Sequence, residues 1–130
     1  MNLVVDTHAL VWYLSGQERR LSARARRAFS AAERGRARIH VPVAVLMEVV
    51  LLEQLGRLRI SYGELREQFA LRPGFPVEAT TPEDVDEARG LGALPDPFDR
   101  LIAGTAIRLG LRLMTQDELV TTSKRVPTFW

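Results

Sequence analysis

The sequence contains no cysteine and only two histidines, His8 and His40. The absence of cysteine excludes disulfide bonds, thiol nucleophiles and thiolate metal sites, and two histidines leave little room for a zinc site built on imidazole. The chain does contain 16 acidic residues. Any metal bound by this protein is therefore expected to have oxygen ligands.

Long apolar segments are also absent. The longest apolar run, residues 41–47, is far too short to span a bilayer. No basic leader precedes the first apolar run, and Asp6 interrupts it, which argues against a secretory signal. We therefore expect a cytoplasmic protein with no membrane partner. Its 130 residues are expected to form a single domain, 1–130, with a core that needs no disulfide or metal for stability.

Lysine is nearly absent, since Lys124 is the only lysine among the 18 basic residues. Arginine makes bidentate contacts with phosphate and stacks on bases, so this bias is compatible with nucleic-acid binding. A GC-rich genome explains the same bias equally well. Residues 21–33 have the spacing of an amphipathic helix, on which Arg20, Arg24 and Arg27 share one face.

Short apolar strands alternate with helices along the whole chain. Strands are predicted within residues 2–7, 38–41, 75–79 and 112–115, with a candidate edge strand in 126–130. Helices are predicted within 8–14, 21–33, 42–55 and 61–72, and further helices begin near Thr81 and Asp96. This alternation predicts an α/β fold, with a parallel sheet of four to five strands covered by helices on both faces.

Four carboxylates stand at positions that a parallel sheet would bring together. Asp6 follows the first strand and Asp117 follows the fourth, where ligands gather in open α/β sheets. Asp99 is the third residue of a helix, and Glu48 lies in a helix that is apolar nearly all round, so that most of that helix is expected to be buried. Asp6 and Asp99 could instead bond free helix N–H groups, and Asp117 could be a turn residue. Glu48 is harder to explain in this way, because burying an unpaired carboxylate is costly.

Converging carboxylates repel one another, so they either raise their pKa values or bind a divalent cation. Oxygen ligands without histidine or cysteine favour Mg²⁺ or Mn²⁺ over zinc. Such a cation can activate a water for phosphodiester hydrolysis, and a carboxylate outside the metal shell can orient that water as a general base. The other acids have simpler explanations. Asp96 is a natural N-cap, and Glu83, Asp84, Asp86 and Glu87 are expected to form a solvated first helical turn.

Four segments carry a more specific pattern: residues 4–12, Glu48 with 56–58, the block Asp-Pro-Phe-Asp-Arg-Leu-Ile-Ala at 96–103, and 113–117. Together they resemble the PIN domain, specifically the VapC-type toxins of bacterial toxin–antitoxin pairs, over essentially the whole chain. The block at 96–103 is the most specific part. The resemblance implies a Mg²⁺- or Mn²⁺-dependent endoribonuclease that is commonly a homodimer and is neutralised by a VapB-like antitoxin.

The resemblance also implies roles for individual residues. Asp6, Glu48 and Asp99 match the three principal acids of the family, and Asp117 matches its more variable fourth. Asp6 and Asp99 are the candidates for direct metal contact. The remaining assignments are supporting hydroxyl groups or motif and RNA-contact side chains: Thr7, Thr115, Arg100, Arg20, Arg24 and Arg27.

Several alternatives stay open. Arg100 can serve structural pairing as readily as RNA contact, and the basic helix face can simply be solvated. Residues 42–45 lack the small hydroxyl side chains common in this family, and 92–95 lack its basic or histidine-containing approach, which puts substrate contacts in doubt. A haloacid dehalogenase phosphatase needs a second Asp where His8 stands, and Thr7 and Lys124 do not fit a receiver domain. A catalytically weak PIN-fold module that binds RNA or protein is the main alternative, against which the four acids argue.

Overall fold

A single five-stranded sheet organises the protein. The structure is a computed structural model that describes residues 1–130. All strand pairs are parallel, and the strand order is β3-β2-β1-β4-β5. The strands are β1 (Asn2–Val5), β2 (Arg38–Pro42), β3 (Val77–Glu78), β4 (Arg112–Met114) and β5 (Thr128–Phe129). The prediction of a parallel α/β sheet is confirmed, including the edge strand near the end of the chain.

Seven α-helices flank this sheet. They are α1 (Thr7–Leu14), α2 (Ala23–Glu33), α3 (Val43–Gln54), α4 (Tyr62–Ala70), α5 (Pro82–Arg89), α6 (Pro97–Leu109) and α7 (Glu118–Ser123). A single 3₁₀ turn, Glu18–Arg20, precedes α2. None of the helices has the length and apolar character required to cross a membrane.

The strand order reverses beside the central strand β1. The chain first builds outward through β2 and β3, and then crosses to the other side of β1 to form β4 and β5. Crevices in such sheets lie outside the carboxyl ends of the strands at this switch point. The backbone N–H of Asp6 donates to the carbonyl of Met114 at 3.1 Å, so the exits of β1 and β4 are adjacent.

The core lies around the central strand and the inner faces of the helices. Leu3, Val4 and Val5 of β1 are completely buried, as expected for a strand covered on both faces. Ile102 and Ala106 of α6 are buried with them. Helix α6 therefore packs against the sheet while its first turn reaches the crevice beyond β1 and β4.

Asp84 corrects one sequence prediction. Its carboxylate was expected in a solvated helical turn, but it is completely buried between α5 and α6. The hydroxyl of Thr105 donates to Oδ2 of Asp84 at 2.8 Å, and Arg108 pairs with the same carboxylate. Asp84 also takes part in a capping interaction, since the Thr81 N–H donates to its carboxylate at 3.1 Å. The partners that make burial possible lie on another helix.

Other predicted elements also differ in detail. Helix α7 was not predicted, because Thr and Ser at positions 121–123 favour helices weakly. On α3, Val43 and Met47 are 41% and 48% exposed, so the helix is less buried than its composition suggested. Arg20 lies in the 3₁₀ turn, where it does not share a helical face with Arg24 and Arg27.

Candidate active site

A polar cleft of about 450 Å³ lies at the carboxyl ends of β1 and β4. It contains all four acids that the sequence analysis selected, together with six further residues, only one of which is hydrophobic. The ten lining residues are Asp6, Thr7, His8, Trp12, Glu48, Asp96, Asp99, Gln116, Asp117 and Glu118.

Asp6 directly follows the central strand β1, and its side chain lines the cleft. It caps α1, and its Oδ1 accepts a hydrogen bond from the Ala9 N–H at 3.0 Å. Burial raises the pKa of Asp6 to about 6, although hydrogen bonds from the Thr115 hydroxyl and the Ala9 N–H act in the opposite direction. The capping role suggested by the sequence is real, but it leaves a carboxylate that is costly to ionise.

Glu48 is a half-buried residue in the middle of α3, and its side chain lines the cleft. The hydroxyl of Thr7 donates to its Oε1 at 2.5 Å, and Thr7 itself is 1% exposed. This contact joins the first turn of α1 to the middle of α3. Thr7 therefore fixes the position of a carboxylate that no arginine or lysine pairs with.

Asp99 and Asp96 share the first turn of α6 but have different surroundings. Asp96 is the N-cap, and its Oδ1 accepts from the N–H groups of Phe98 at 2.7 Å and Asp99 at 3.3 Å. Burial raises the pKa of Asp99 to about 7, reinforced by the charges of Asp96, Glu48, Asp117 and Asp6. The N-cap prediction for Asp96 is confirmed, which leaves the Asp99 carboxylate free of that task.

Asp117 caps α7 and contacts Thr115, whose side chain lies beside Asp6. Its Oδ1 accepts from the Leu119 N–H at 2.8 Å, while its own N–H donates to the Thr115 hydroxyl at 3.0 Å. Thr115 is 2% exposed, and its side chain lies close enough to the Asp6 carboxylate to lower the pKa of Asp6. This buried hydroxyl therefore contacts Asp117 and lies beside Asp6, the acids that follow β4 and β1.

These carboxylates do not form a closed metal cage. No three His, Cys, Asp or Glu side chains are grouped so that they could hold a metal ion together. Mg²⁺ commonly keeps several waters and uses only one or two carboxylates, with substrate phosphates as further ligands. Burial is the main cause of the raised pKa values of Asp6 and Asp99, and neighbouring carboxylates add to it, so a positive charge in the cleft would stabilise the ionised forms. This donor set fits a hydrated hard cation rather than a fully enclosed one.

The predicted arginine side chains are distributed differently from the acids. Arg100 donates to the carbonyl of Leu94, and through Nη2 to that of Gly92 at 3.4 Å, so it ties down the loop before α6 outside the cleft. Arg27 is exposed on α2 and does not line the cleft. Only Arg20 touches a cleft residue, because its guanidinium lies over the ring of Trp12, 4.6 Å from the centroid.

Sequence reasoning did not select His8, Trp12, Gln116 and Glu118 as parts of the site. His8 and Trp12 are four residues apart on α1, a spacing that places both on the face beside Asp6. That spacing was available in the sequence. Gln116 and Glu118 flank Asp117, but their orientation depends on α7, for which the sequence carried only a weak signal.

The comparisons with known proteins agree on the fold. The PIN domain family matches residues 3–121. Similar solved structures include VapBC2 from Rickettsia felis bound to a promoter DNA fragment, with 12% identity, a TM-score of 0.71, and coverage of 99% of this chain and 98% of that one. DNA-bound VapBC from Salmonella typhimurium has 14% identity, a TM-score of 0.71, and coverage of 99% and 97%.

A third similar structure is VapC20 from Mycobacterium tuberculosis, described as a sarcin–ricin loop cleaving toxin. It has 16% identity and a TM-score of 0.57, and the match covers 92% of this chain and 94% of that one. A search of curated protein sequences finds no significant match. At these identities the solved structures establish a shared fold.

Proposed function

The chain belongs to the PIN domain family, and from this premise we propose that it is a Mg²⁺- or Mn²⁺-dependent endoribonuclease acting as the toxin of a toxin–antitoxin pair. One observation carries the proposal. Asp6, Glu48, Asp99 and Asp117 come from four separate parts of the sequence and line the same cleft at the switch point of the sheet. A fold alone does not need four unpaired carboxylates in one crevice, whereas metal-assisted hydrolysis does.

Asp6 and Asp99 are the proposed metal ligands. Their pKa values are raised to about 6 and about 7, so a nearby positive charge would strongly stabilise the ionised form of each carboxylate. The cation, when bound, would lower the pKa of a water and offset the negative charge of the scissile phosphate. The Thr115 side chain lowers the pKa of Asp6 and so favours its ionised form, and Asp117 adds negative charge to the cleft lining.

Glu48 is the proposed general base. Its Oε1 accepts from Thr7, which leaves Oε2 available to take a proton from the attacking water. The water oxygen then forms a bond to phosphorus while the bond from phosphorus to the leaving ribose oxygen breaks. The leaving ribose oxygen takes up a proton from solvent to become a hydroxyl group, and Glu48 releases its proton to solvent, so the carboxylate is restored for the next turnover.

The proposed toxin role is based on the PIN domain family and on the solved structures that have a similar fold. The Rickettsia felis and Salmonella typhimurium structures are VapBC complexes, and VapC20 is described as a cleaving toxin. By analogy we propose a VapB-like antitoxin as the partner, a homodimeric assembly and a cytoplasmic location for the single domain of residues 1–130. Induced expression should then arrest growth, and co-expression of the protein encoded next to it should restore growth.

The alternative function is a catalytically weak PIN-fold module that binds RNA or protein. Cleavage of a single-stranded RNA, compared in Mg²⁺, in Mn²⁺ and with a chelator, separates the two functions. We expect metal-dependent cleavage by the wild type and at least about a hundredfold loss in Asp6→Asn and Asp99→Asn, because each change removes a charged ligand. Asp86→Asn makes the same chemical change at an exposed position of α5 and serves as the control.

Folded Asp6→Asn and Asp99→Asn proteins that cleave as fast as the wild type would refute the assigned ligands. A wild type that binds RNA without cutting it in either metal would favour the binding module. Growth arrest that persists in Asp99→Asn would likewise separate toxicity from the proposed chemistry.

A further inference from the structure

We infer that Trp12 and Arg20 form a stacking site for an unpaired base of single-stranded RNA, immediately beside the acidic cleft. The inference rests on the proposed function, because it places the RNA chain relative to the carboxylates that would cut it. It adds a substrate contact that the four acids do not supply, since acids alone repel the RNA backbone.

Trp12 is the only hydrophobic side chain that lines the cleft. Its ring lies 5.9 Å from that of His8 and 6.3 Å from that of Trp130, which meets it edge-on at 68°. The Arg20 guanidinium lies over its ring at 4.6 Å. We call Trp12, Trp130 and Arg20 the aromatic ledge, and Trp12 is the member of this ledge that lines the acidic cleft.

Charge explains why the ledge is suited to RNA. The residues that line the cleft include six carboxylates, Glu48 among them, and no arginine or lysine. An RNA phosphate therefore needs a positive charge close to the cleft. Arg20 supplies that charge at the border of the cleft. Arg24 lies nearby, because it donates to the Trp130 carbonyl at 3.4 Å and covers the ring of Phe129 at 4.4 Å. Cations and aromatic rings therefore occur together on this side of the site.

The contact between Arg20 and Trp12 can be exchanged for contacts with RNA. Arg20 is exposed and has a long, flexible side chain, so its guanidinium can leave the indole and pair with a phosphate. An incoming base then takes its place on the ring, since every base presents a π-face that stacks on aromatic side chains. One movement of Arg20 thus creates both a base contact and a phosphate contact.

The surroundings of Trp12 favour RNA over a protein partner as the occupant. A partner helix needs a contiguous apolar groove, but nine of the ten residues that line the cleft are not hydrophobic. Trp12 is the only flat apolar surface in the cleft lining, and its area matches the π-face of one base. Because Trp12 lines the same cleft as the acids, a base stacked on its ring would belong to a nucleotide close to the scissile phosphate.

The two tryptophans of the chain, Trp12 and Trp130, are both on the ledge, so intrinsic tryptophan fluorescence reports on this surface alone. The test is a fluorescence titration with a single-stranded RNA oligonucleotide in the presence of a chelator, which prevents cleavage. We expect quenching of the wild type. Trp12→Ala should bind at least about fivefold more weakly by anisotropy of the labelled RNA, while Trp12→Phe keeps most of the affinity.

Arg20→Ala and Arg19→Ala form a matched pair, because both remove one positive charge from the same 3₁₀ turn. Only Arg20 contacts the indole. We expect the plot of log affinity against log salt concentration to become shallower in Arg20→Ala, by about the amount that corresponds to one lost phosphate contact. Arg19→Ala should leave the slope unchanged.

Folded Trp12→Ala that binds RNA like the wild type would overturn the inference, as would fluorescence that responds to a protein partner but not to RNA. These binding measurements do not depend on cleavage. Absence of cleavage by the wild type in Mg²⁺ and Mn²⁺ would contradict the proposed function, while equal KM values for cleavage by wild type and Trp12→Ala would contradict only the stacking site.

Discussion

The hydroxyl of Thr7 donates a 2.5 Å hydrogen bond to Oε1 of Glu48, a residue 41 positions later in the chain. The contact links the residue after Asp6 with a carboxylate on α3, so one buried hydroxyl positions Glu48 next to the start of α1. Without Thr7, the Glu48 side chain would be free to adopt other rotamers in the cleft.

Replacing Thr7 by Val is expected to lower kcat for RNA cleavage about 10- to 100-fold, the usual effect of losing a hydrogen bond that orients a functional group. Valine keeps the shape of threonine, so the fold should survive. Thr7→Ser restores the hydroxyl and should recover most of the rate. Steady-state kinetics with circular dichroism as a folding control make the comparison. Equal rates for Thr7→Val and Thr7→Ser would show that the hydroxyl has no positioning role.

Metal binding should compete with protons in this cleft. The pKa values of Asp6 and Asp99 are raised from 3.8 to about 6 and about 7, so both carboxyl groups take up protons as the pH falls through this range. A cation requires the ionised forms. We therefore expect the metal concentration for half-maximal cleavage to rise at least about tenfold per pH unit below about pH 6. Mn²⁺ titrations of cleavage at several pH values measure this, and a half-maximal concentration independent of pH would contradict it.

The same pKa values predict how stability depends on pH. Between about pH 4 and 7 the folded state holds more protons than the unfolded state, so the free energy of unfolding falls as the pH rises through this window when no metal is present. Asp99→Asn cannot ionise and should melt several degrees higher than the wild type at about pH 8 in a chelator, and equally at about pH 3. Mg²⁺ should raise the melting temperature of the wild type but not of Asp99→Asn. Thermal unfolding monitored by circular dichroism tests both statements.

The sequence predicted much of the fold because strands and helices leave local signals. The apolar run before Asp6, the Pro97 helix start and the spacing within α6 can each be read from a few neighbouring residues. The parallel strand order then brings Asp6 and Asp117 to one edge of the sheet by topology alone. These acids could therefore be placed together without any knowledge of side-chain contacts.

The sequence could not reveal pairs that depend on packing between distant segments. Thr7 and Glu48 meet only because α1 and α3 are neighbours, and Asp84 is buried only because Arg108 and Thr105 of α6 face it. The exposure of Trp12 in the cleft is likewise set by tertiary packing, since its local pattern is equally typical of a core residue.

The pair of Asp84 and Arg108 should be important for stability rather than for cleavage. Burial alone would raise the pKa of Asp84, but hydrogen bonds from Arg108, Thr81 and Thr105 outweigh it and hold the pKa below its ordinary value. Arg108→Ala leaves this carboxylate buried without its partner and should cost about 3–5 kcal/mol of the free energy of unfolding. The Asp84 contribution is present above its unfolded pKa, near 3.8, and is lost as the pH falls through its lower folded pKa.

Denaturant unfolding of Arg108→Ala at about pH 7 measures this cost. Arg89→Ala removes the same charge from an exposed position on α5 and is expected to change stability by less than about 0.5 kcal/mol. Similar losses in the two variants would show that the ion pair contributes nothing beyond net charge.

Gly104 allows α6 to approach α5 closely, and its replacement by alanine provides a final test of this packing. A Cβ atom at Gly104 would lie 2.4 Å from the backbone carbonyl oxygen of Asp84, too close for any real contact. Alanine favours a helix by about 1 kcal/mol over glycine, but separating the two helices should cost more, so we expect a net loss of about 1–3 kcal/mol. Gly63→Ala in α4 is the control, because its nearest neighbour would be a side-chain oxygen at 3.9 Å and helix propensity should stabilise that variant. Denaturant unfolding of both variants measures these changes in the free energy of unfolding. If Gly104→Ala and Gly63→Ala change it by the same amount, α5 and α6 separate without cost.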